Sequence, residues 1–269
     1  MFSQRARFPV LVVAVGLWVA AMLGAEQPAD KAAKPIDQGQ HVLILGNSFQ
    51  NFVDSYLKAM TDAADIKGHI RGGDPLATTK VDVVACNPWF RDHDKSDKGL
   101  DDLTERGLKH NPNIRVLAQV GWLPYDDPVF PMPEKGRETN WNAPKIEELR
   151  SRHAAYLKNA AEQVQALNKK HGKQVVFIVP TAQAVIALRE KIVAGQAPAL
   201  KTQDDLFRDA IGHARPPVEL LNAYCHYAVV YRRTPVGLPM KSSTYEKLHR
   251  LLQELAWDAV TKEPLSGVK

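Results

Sequence analysis

Four short, mostly apolar runs punctuate the chain: residues 42–45, 81–86, 114–119 and 175–179. Runs of this length, rich in valine and isoleucine, predict strands buried on both faces. Between and after them, apolar positions recur every three or four residues. Phe49, Phe52, Val53, Tyr56, Leu57 and Met60 predict an amphipathic helix opening directly after the first strand. Residues 100–110 predict a second helix. Residues 144–171 predict a long third one, with Ile146, Leu149, Ala154, Leu157, Ala161, Val164 and Leu167 on one stripe and Gly172 placed to end it. Residues 181–193 predict a fourth, and another begins near Pro217. Strand alternating with helix at this spacing predicts an α/β domain whose strands pair in parallel through right-handed crossovers. A strand ahead of the Gly72-Gly73 pair is barely visible.

The amino terminus breaks this rhythm. Arg5 and Arg7 precede an apolar run over residues 9–22, and Leu23-Gly24-Ala25 offers small residues for cleavage, the layout of an export signal over residues 1–25. The run is short for a membrane span, and an uncleaved anchor is the alternative. No cysteine follows it, which argues against a lipid anchor. Residues 26–40 (EQPADKAAKPIDQGQ) read as a flexible leader, and residues 41–265 as one domain large enough for a real core. Removing residues 1–25 takes away two of 35 basic groups and none of 30 acidic ones, so the net charge of +5 falls to about +3. That balance is too small and too scattered to argue for nucleic acid. Cys86 and Cys225 are the only cysteines. In an exported protein they could pair, but both sit in apolar contexts that suit buried free thiols equally well.

The first strand and helix are joined by Gly46-Asn47-Ser48-Phe49. Ser48 in that position either caps the helix or serves as a nucleophile at the carboxyl end of a strand, where helix N–H groups favour developing negative charge. The turn is not the G-x-S-x-G elbow, because position 50 is Gln. The residues GNSF directly after the first strand resemble the first sequence block of the SGNH (GDSL-type) hydrolases. The resemblance spans roughly residues 41–239 and implies a three-layer α/β/α fold with a mainly parallel, flavodoxin-like sheet. It implies that Ser48 is the nucleophile. It also implies an oxyanion hole formed by the N–H of Ser48, the N–H of Gly72 or Gly73, and the side chain of Asn87, at the end of the third strand where the family places its third block. Asn87-Pro88 read alone is a turn. The late D-x-x-H block of the family is met by Asp209-Ala210-Ile211-Gly212-His213, one residue longer. His213 would be the base and Asp209 its orienting carboxylate, with Gly212 absorbing the extra residue; Asp205 and Asp204 are alternatives. His226, within the following helix, reads as packing or surface.

Other polar clusters carry less chemistry. Residues 91–102 (RDHDKSDKGLDD) hold five aspartates and His93, but the spacing fits no calcium-binding loop. The segment reads as a solvated loop, with no metal and no cofactor implied. Trp89, Trp122, Tyr125 and Trp141 fall in loops, and the first three are candidates to stack on sugar rings. The alternative is packing beneath the proline-rich segment 124–144. The expectation is therefore an exported serine esterase acting on a small-molecule or polysaccharide ester, an acetyl or short acyl on a carbohydrate. It would touch membrane only through its amino-terminal signal or anchor. The rival expectation is a non-catalytic carbohydrate-binding or assembly protein that keeps the fold with a degraded site. If residues 1–25 are an export signal, sequencing the amino terminus of the exported protein will give a chain starting at Glu26; an intact Met1 would identify an uncleaved anchor.

Overall fold

Five parallel strands form the sheet in the computed structural model, which describes residues 34–72, 81–90, 98–122, 140–239 and 246–268. The expected signal segment lies outside the described residues, as do Gly73, His93 and Tyr125. In chain order the strands and the helices among them are β1 (His41–Ile44), α1 (Val53–Ala63), β2 (Ile70–Arg71), β3 (Val83–Cys86) and α2 (Lys98–His110). They continue with β4 (Arg115–Gln119), α3 (Ile146–Lys170), β5 (Val176–Val179), α4 (Thr181–Val193), α5 (Pro216–Tyr231) and α6 (Glu246–Lys262). The spatial order is β2-β1-β3-β4-β5, the flavodoxin-like order, with every neighbouring pair parallel. The chain runs outward from β1 to β2 and then returns to β3 on the other side. Open sheets of this kind leave a crevice beyond the carboxyl ends of the strands where that reversal occurs, here β1 and β3.

Why the strands read as unbroken apolar runs is visible in the packing. Alternate residues face opposite layers, and both layers are apolar. Val42, Val83, Ala85, Leu117, Phe177 and Val179 pack with α1, α4, α5 and α6. Leu43, Val84, Cys86, Val116, Ala118, Val176 and Ile178 pack with α2 and α3. The result is a three-layer α/β/α fold. Within the first layer, α5 is buried along almost its whole circumference, between the sheet and α1, α4 and α6. Its last carbonyls are satisfied by a partly buried side chain: the Arg115 guanidinium donates to Val229 O (3.1 Å) and Val230 O (2.7 Å). Arg232 then adopts a left-handed conformation, φ 51°, and the helix stops.

The structure departs from the sequence expectations in several places. Helix α1 starts at Val53, so Ser48 lies on a separate turn and caps nothing; the N-cap position is Phe52. The edge strand β2 is only two residues long. Residues 34–40, read as part of a leader, are seated: Ile36 N–H donates to Tyr231 O and Gly39 N–H to Lys67 O. A 3-10 turn, Gln203–Leu206, and the terminal helix α6 were not anticipated. No described helix is long and apolar enough to cross a membrane.

The two thiols settle their own question. Cys86 belongs to the cluster on the α2–α3 face of the sheet and Cys225 to the cluster on the opposite face, so the sheet itself separates them. Both are buried, and neither is in a disulfide. Burial pushes the Cys225 thiol well above its ordinary pKa. A thiol-specific reagent should therefore modify neither cysteine in the native protein and both after denaturation, with no reductant needed; one or no thiol titrated in the unfolded, unreduced chain would contradict this placement.

Candidate active site

Ser48 stands at the carboxyl end of β1, in the crevice the strand order creates. The turn that carries it is closed by Gln50 N–H and Asn51 N–H, both donating to Asn47 O at 2.9 Å. The Asn47 side chain does a second job. Its Oδ1 accepts the Phe49 N–H (2.9 Å) and one N–H of the Asn87 amide (3.2 Å), tying the β1 turn to the end of β3. The Ser48 N–H has no partner among the described residues. The Ser48 hydroxyl lies 2.8 Å from His213 Nε2.

His213 arrives from the other end of the chain, on a hairpin between α4 and α5. Phe207 and Ala214 form its bridge, and Arg208 N–H donates to His213 O (3.0 Å). Asp209 opens the turn at its tip and Gly212 closes it, with Gly212 N–H donating to Asp209 O at 3.1 Å. Aspartate first and glycine fourth is the residue choice of a common β-turn. Gly212 takes φ +80°, which glycine tolerates and other residues adopt at a cost. This absorbs the additional residue between Asp209 and His213. The Asp209 carboxylate folds back over the turn, accepting His213 N–H at 3.1 Å with one oxygen and approaching His213 Nδ1 at 2.6 Å with the other. An ionised carboxylate accepts only, so Nδ1 carries the proton and Nε2 faces Ser48 with its lone pair. Partial burial pushes the Asp209 pKa up. The His213 backbone and ring and the Ile211 N–H outweigh that, and the carboxyl lies below its ordinary value.

Asp204 and Asp205, the other carboxylates weighed, point elsewhere. Asp204 accepts from Trp141 N–H (3.1 Å) and from the Asn142 amide. Asp205 accepts from the N–H groups of Lys201 (2.8 Å) and Thr202 (3.0 Å), capping the 3-10 turn.

Three further candidates fare differently. Gly72 cannot donate to an oxyanion in this arrangement, because its N–H extends the β1–β2 ladder by donating to Val42 O (3.2 Å). Trp122 is not a sugar platform. It is 4% exposed, and its indole N–H donates to Gly212 O at 2.7 Å. Trp122 and Trp141 flank Gly212: a Cβ there would meet Trp141 Cη2 at 3.0 Å and the Trp122 indole nitrogen at 3.7 Å. Trp89, just past the end of β3, is 43% exposed. Phe49, next to the serine, lies against the His213 ring (centroids 4.9 Å) and against Trp122 (5.5 Å). The imidazole is therefore held by apolar contact on one side and by Asp209 at its edge.

Beneath the serine turn lies a set of polar side chains that sequence reasoning missed. Phe49 O accepts from Gln119 Nε2 (3.2 Å) and Asn222 Nδ2 (3.3 Å). Asn222 also donates to Gln119 Oε1 (2.9 Å) and accepts from the Thr181 hydroxyl (2.8 Å). Gln50 Nε2 contacts Cys86 O (3.2 Å) and His226 Nε2 (3.0 Å). Gln50, Gln119, Asn222 and His226 are all fully buried. A signal existed: Asn222 and His226 sit one turn apart in a helix otherwise dominated by apolar residues, and Gln119 ends an apolar strand.

No family model matches the chain, and no curated protein matches it. Among solved structures, a Parabacteroides merdae protein described as a "putative GDSL-like lipase" matches with TM-score 0.41 and 14% identity, covering 72% of this chain and 95% of that one.

The hairpin makes a direct test possible. Gly212→Ala forces a side chain into left-handed backbone against Trp141, at a backbone cost of about 1–2 kcal/mol. The expected result is a lower thermal midpoint and, in a crystal structure of the variant, a broken Asp209–His213 contact. Unchanged stability together with an intact contact would show that the turn does not depend on this glycine.

Proposed function

We propose that the chain is a serine ester hydrolase of the SGNH type, with Ser48 as nucleophile, His213 as general base and Asp209 as the carboxylate that fixes the ring. The observation that carries this reading is the unbroken chain of contacts from Ser48 Oγ to His213 Nε2 (2.8 Å) and from His213 Nδ1 to Asp209 Oδ2 (2.6 Å). As Ser48 Oγ attacks an ester carbonyl, its proton passes to Nε2, and Asp209 stabilises the imidazolium that forms. The same proton then goes to the leaving alcohol. Water, deprotonated by His213, releases the acid from Ser48. Two donors serve the developing oxyanion: the Ser48 N–H and the second N–H of the Asn87 amide, whose first is held by Asn47. Each donor of this kind is typically worth about 3 kcal/mol.

The acyl group in this proposal is acetyl or another short chain, and the alcohol is a carbohydrate. The carbohydrate part rests on Trp89 at the rim, since Trp122 lies beneath the site. The proposal includes export, on the strength of the amino-terminal sequence. The rival, a non-catalytic binding protein, is favoured by two irregularities, the glycine block at Gly72-Gly73 and the Asp–His spacing. The turn at Gly212 supplies a physical route around the second, whereas the Gly72 N–H is taken by Val42 O.

A fluorophosphonate probe is expected to label Ser48 and no other residue, and Ser48→Ala to abolish both labelling and hydrolysis of a short-chain ester. Asp209→Asn should lower kcat by about 10⁴-fold, because the amide favours the wrong ring tautomer. Asn87→Ala should lower it by about 10²–10³-fold. Asp205→Asn, whose carboxylate faces the Lys201 and Thr202 N–H groups, should leave kcat near that of the wild type. A folded protein that neither takes the label nor hydrolyses esters would instead support the non-catalytic alternative.

A further inference from the structure

The contacts beneath the serine turn end on an imidazole with no part in the proton transfer just described. We infer that Gln50 and His226 are a positioning pair for the nucleophile: the buried ring holds the Gln50 amide, and the amide holds the turn that aims Ser48 at His213. The inference deepens the hydrolase reading of Ser48 and rests on it.

Gln50 belongs to the same turn as Ser48, two residues on. Its backbone N–H closes that turn on Asn47 O, while its side chain passes beneath, in the space a Cβ on Gly46 would occupy. Two acceptors there receive its amide nitrogen. The first is Cys86 O, at the carboxyl end of β3. A carbonyl oxygen must face the nitrogen and not the oxygen of the amide, so Cys86 fixes which way the amide points. The second acceptor must then be His226 Nε2 as a bare lone pair. The other side of the ring agrees: Nδ1 faces Asn222 O at 3.0 Å, which requires the proton on Nδ1. Both contacts therefore select one neutral tautomer. Burial drives the His226 pKa down to about 4, although the Asn222 carbonyl pulls it upward, so the ring is neutral at neutral pH.

The geometry links this ring to the reaction. In addition to the Asn47–Asn87 tie, two anchors hold the turn from beneath: Phe49 O, held by Gln119 and Asn222, and the Gln50 amide, held by Cys86 and His226. Ser48 is the residue just before them. Loss of one anchor lets the turn rotate about the other, which changes the approach of Ser48 Oγ to His213 without touching the substrate-facing surface. Displacements of about 1 Å in such a geometry can cost on the order of 10²-fold in rate.

The test compares His226→Leu, which removes the acceptor, with His226→Gln, which restores an acceptor of similar reach. For a short-chain p-nitrophenyl ester, the Leu variant should show kcat lowered by about 10- to 100-fold with KM unchanged, and a matching fall in the rate of Ser48 labelling by fluorophosphonate. The Gln variant should recover most of both. A folded Leu variant with wild-type kcat, or a Gln variant as impaired as the Leu variant, overturns the inference. Should the Leu variant fail to fold, nitrogen NMR of the wild-type and Gln50→Leu proteins decides. His226 is expected to carry its proton on Nδ1, with an Nε2 resonance that moves when Gln50 is replaced. A protonated Nε2, or a resonance indifferent to Gln50, overturns the inference. The NMR reading needs no turnover. Failure of the hydrolase reading would show separately, as a wild-type protein with the expected nitrogen signals but no ester hydrolysis and no label on Ser48.

Discussion

Helix α5 buries thirteen of its sixteen residues, so it has almost no solvent side. A helix in that position cannot slide or rotate without opening voids, and voids cost about 24 cal/mol per Å³ of cavity. Both halves of the site hang from it. The hairpin with Asp209 and His213 leads directly into its first turn, where Pro216 is suited to the missing N–H of a helix start. One and two turns on, Asn222 and His226 reach under the serine turn. At its far end, Arg115 from β4 and the backbone of Ile36 take up the free carbonyls. Ser48 and His213, 165 residues apart in the chain, thus share one rigid support.

The relation between residue spacing and geometry at His213 is worth following. An Asp–His pair one residue further apart than the family pattern looks like a damaged site when only positions are counted. Geometry is set by the turn instead. The Asp209–Gly212 hydrogen bond and the left-handed Gly212 bring the carboxylate back onto both the backbone and the ring of His213. Trp122 and Trp141 then occupy the space beside Gly212, and the indole N–H of Trp122 fixes its carbonyl. Trp141 is fixed in turn: its carbonyl accepts from the buried Arg189 guanidinium of α4 (2.8 Å) and its ring packs on Phe207 (4.4 Å). The added residue is accommodated because its surroundings specify a single conformation for it.

What the sequence made legible follows the same physics. Strands covered on both faces must be apolar throughout, so β1, β3, β4 and β5 were readable to within two residues. Ser48 stood out as a polar residue just past an apolar strand. Asn87, Asp209 and His213 were singled out only through the resemblance to the SGNH sequence blocks, since Asn87-Pro88 alone reads as a turn. Burial in loops was not readable. Trp122 sits after a strand like any rim aromatic, and only its contact with Gly212 shows that it lies beneath the site. The ladder bond of Gly72 was equally hidden, since β2 is too short to declare itself. For α6, the spacing Leu248, Leu252, Ala256, Val260 is regular, but the sequence does not say that this stripe covers α4 and α5.

The two histidines facing the serine turn sit in opposite electrostatic surroundings. His213 is partly open to solvent and has a carboxylate at Nδ1, so a positive charge arriving on the ring meets an opposite charge at once. His226 has a backbone carbonyl at Nδ1 and an amide at Nε2, in full burial. A charge placed there would meet no carboxylate in contact with the ring among the described residues and would cost the full desolvation. Its low pKa follows from that. In the proposed reaction a proton leaving Ser48 therefore has one favourable destination, and the second ring offers only a fixed acceptor. Exchanging the roles would require moving a carboxylate into the core, where its own desolvation would oppose the ionised state.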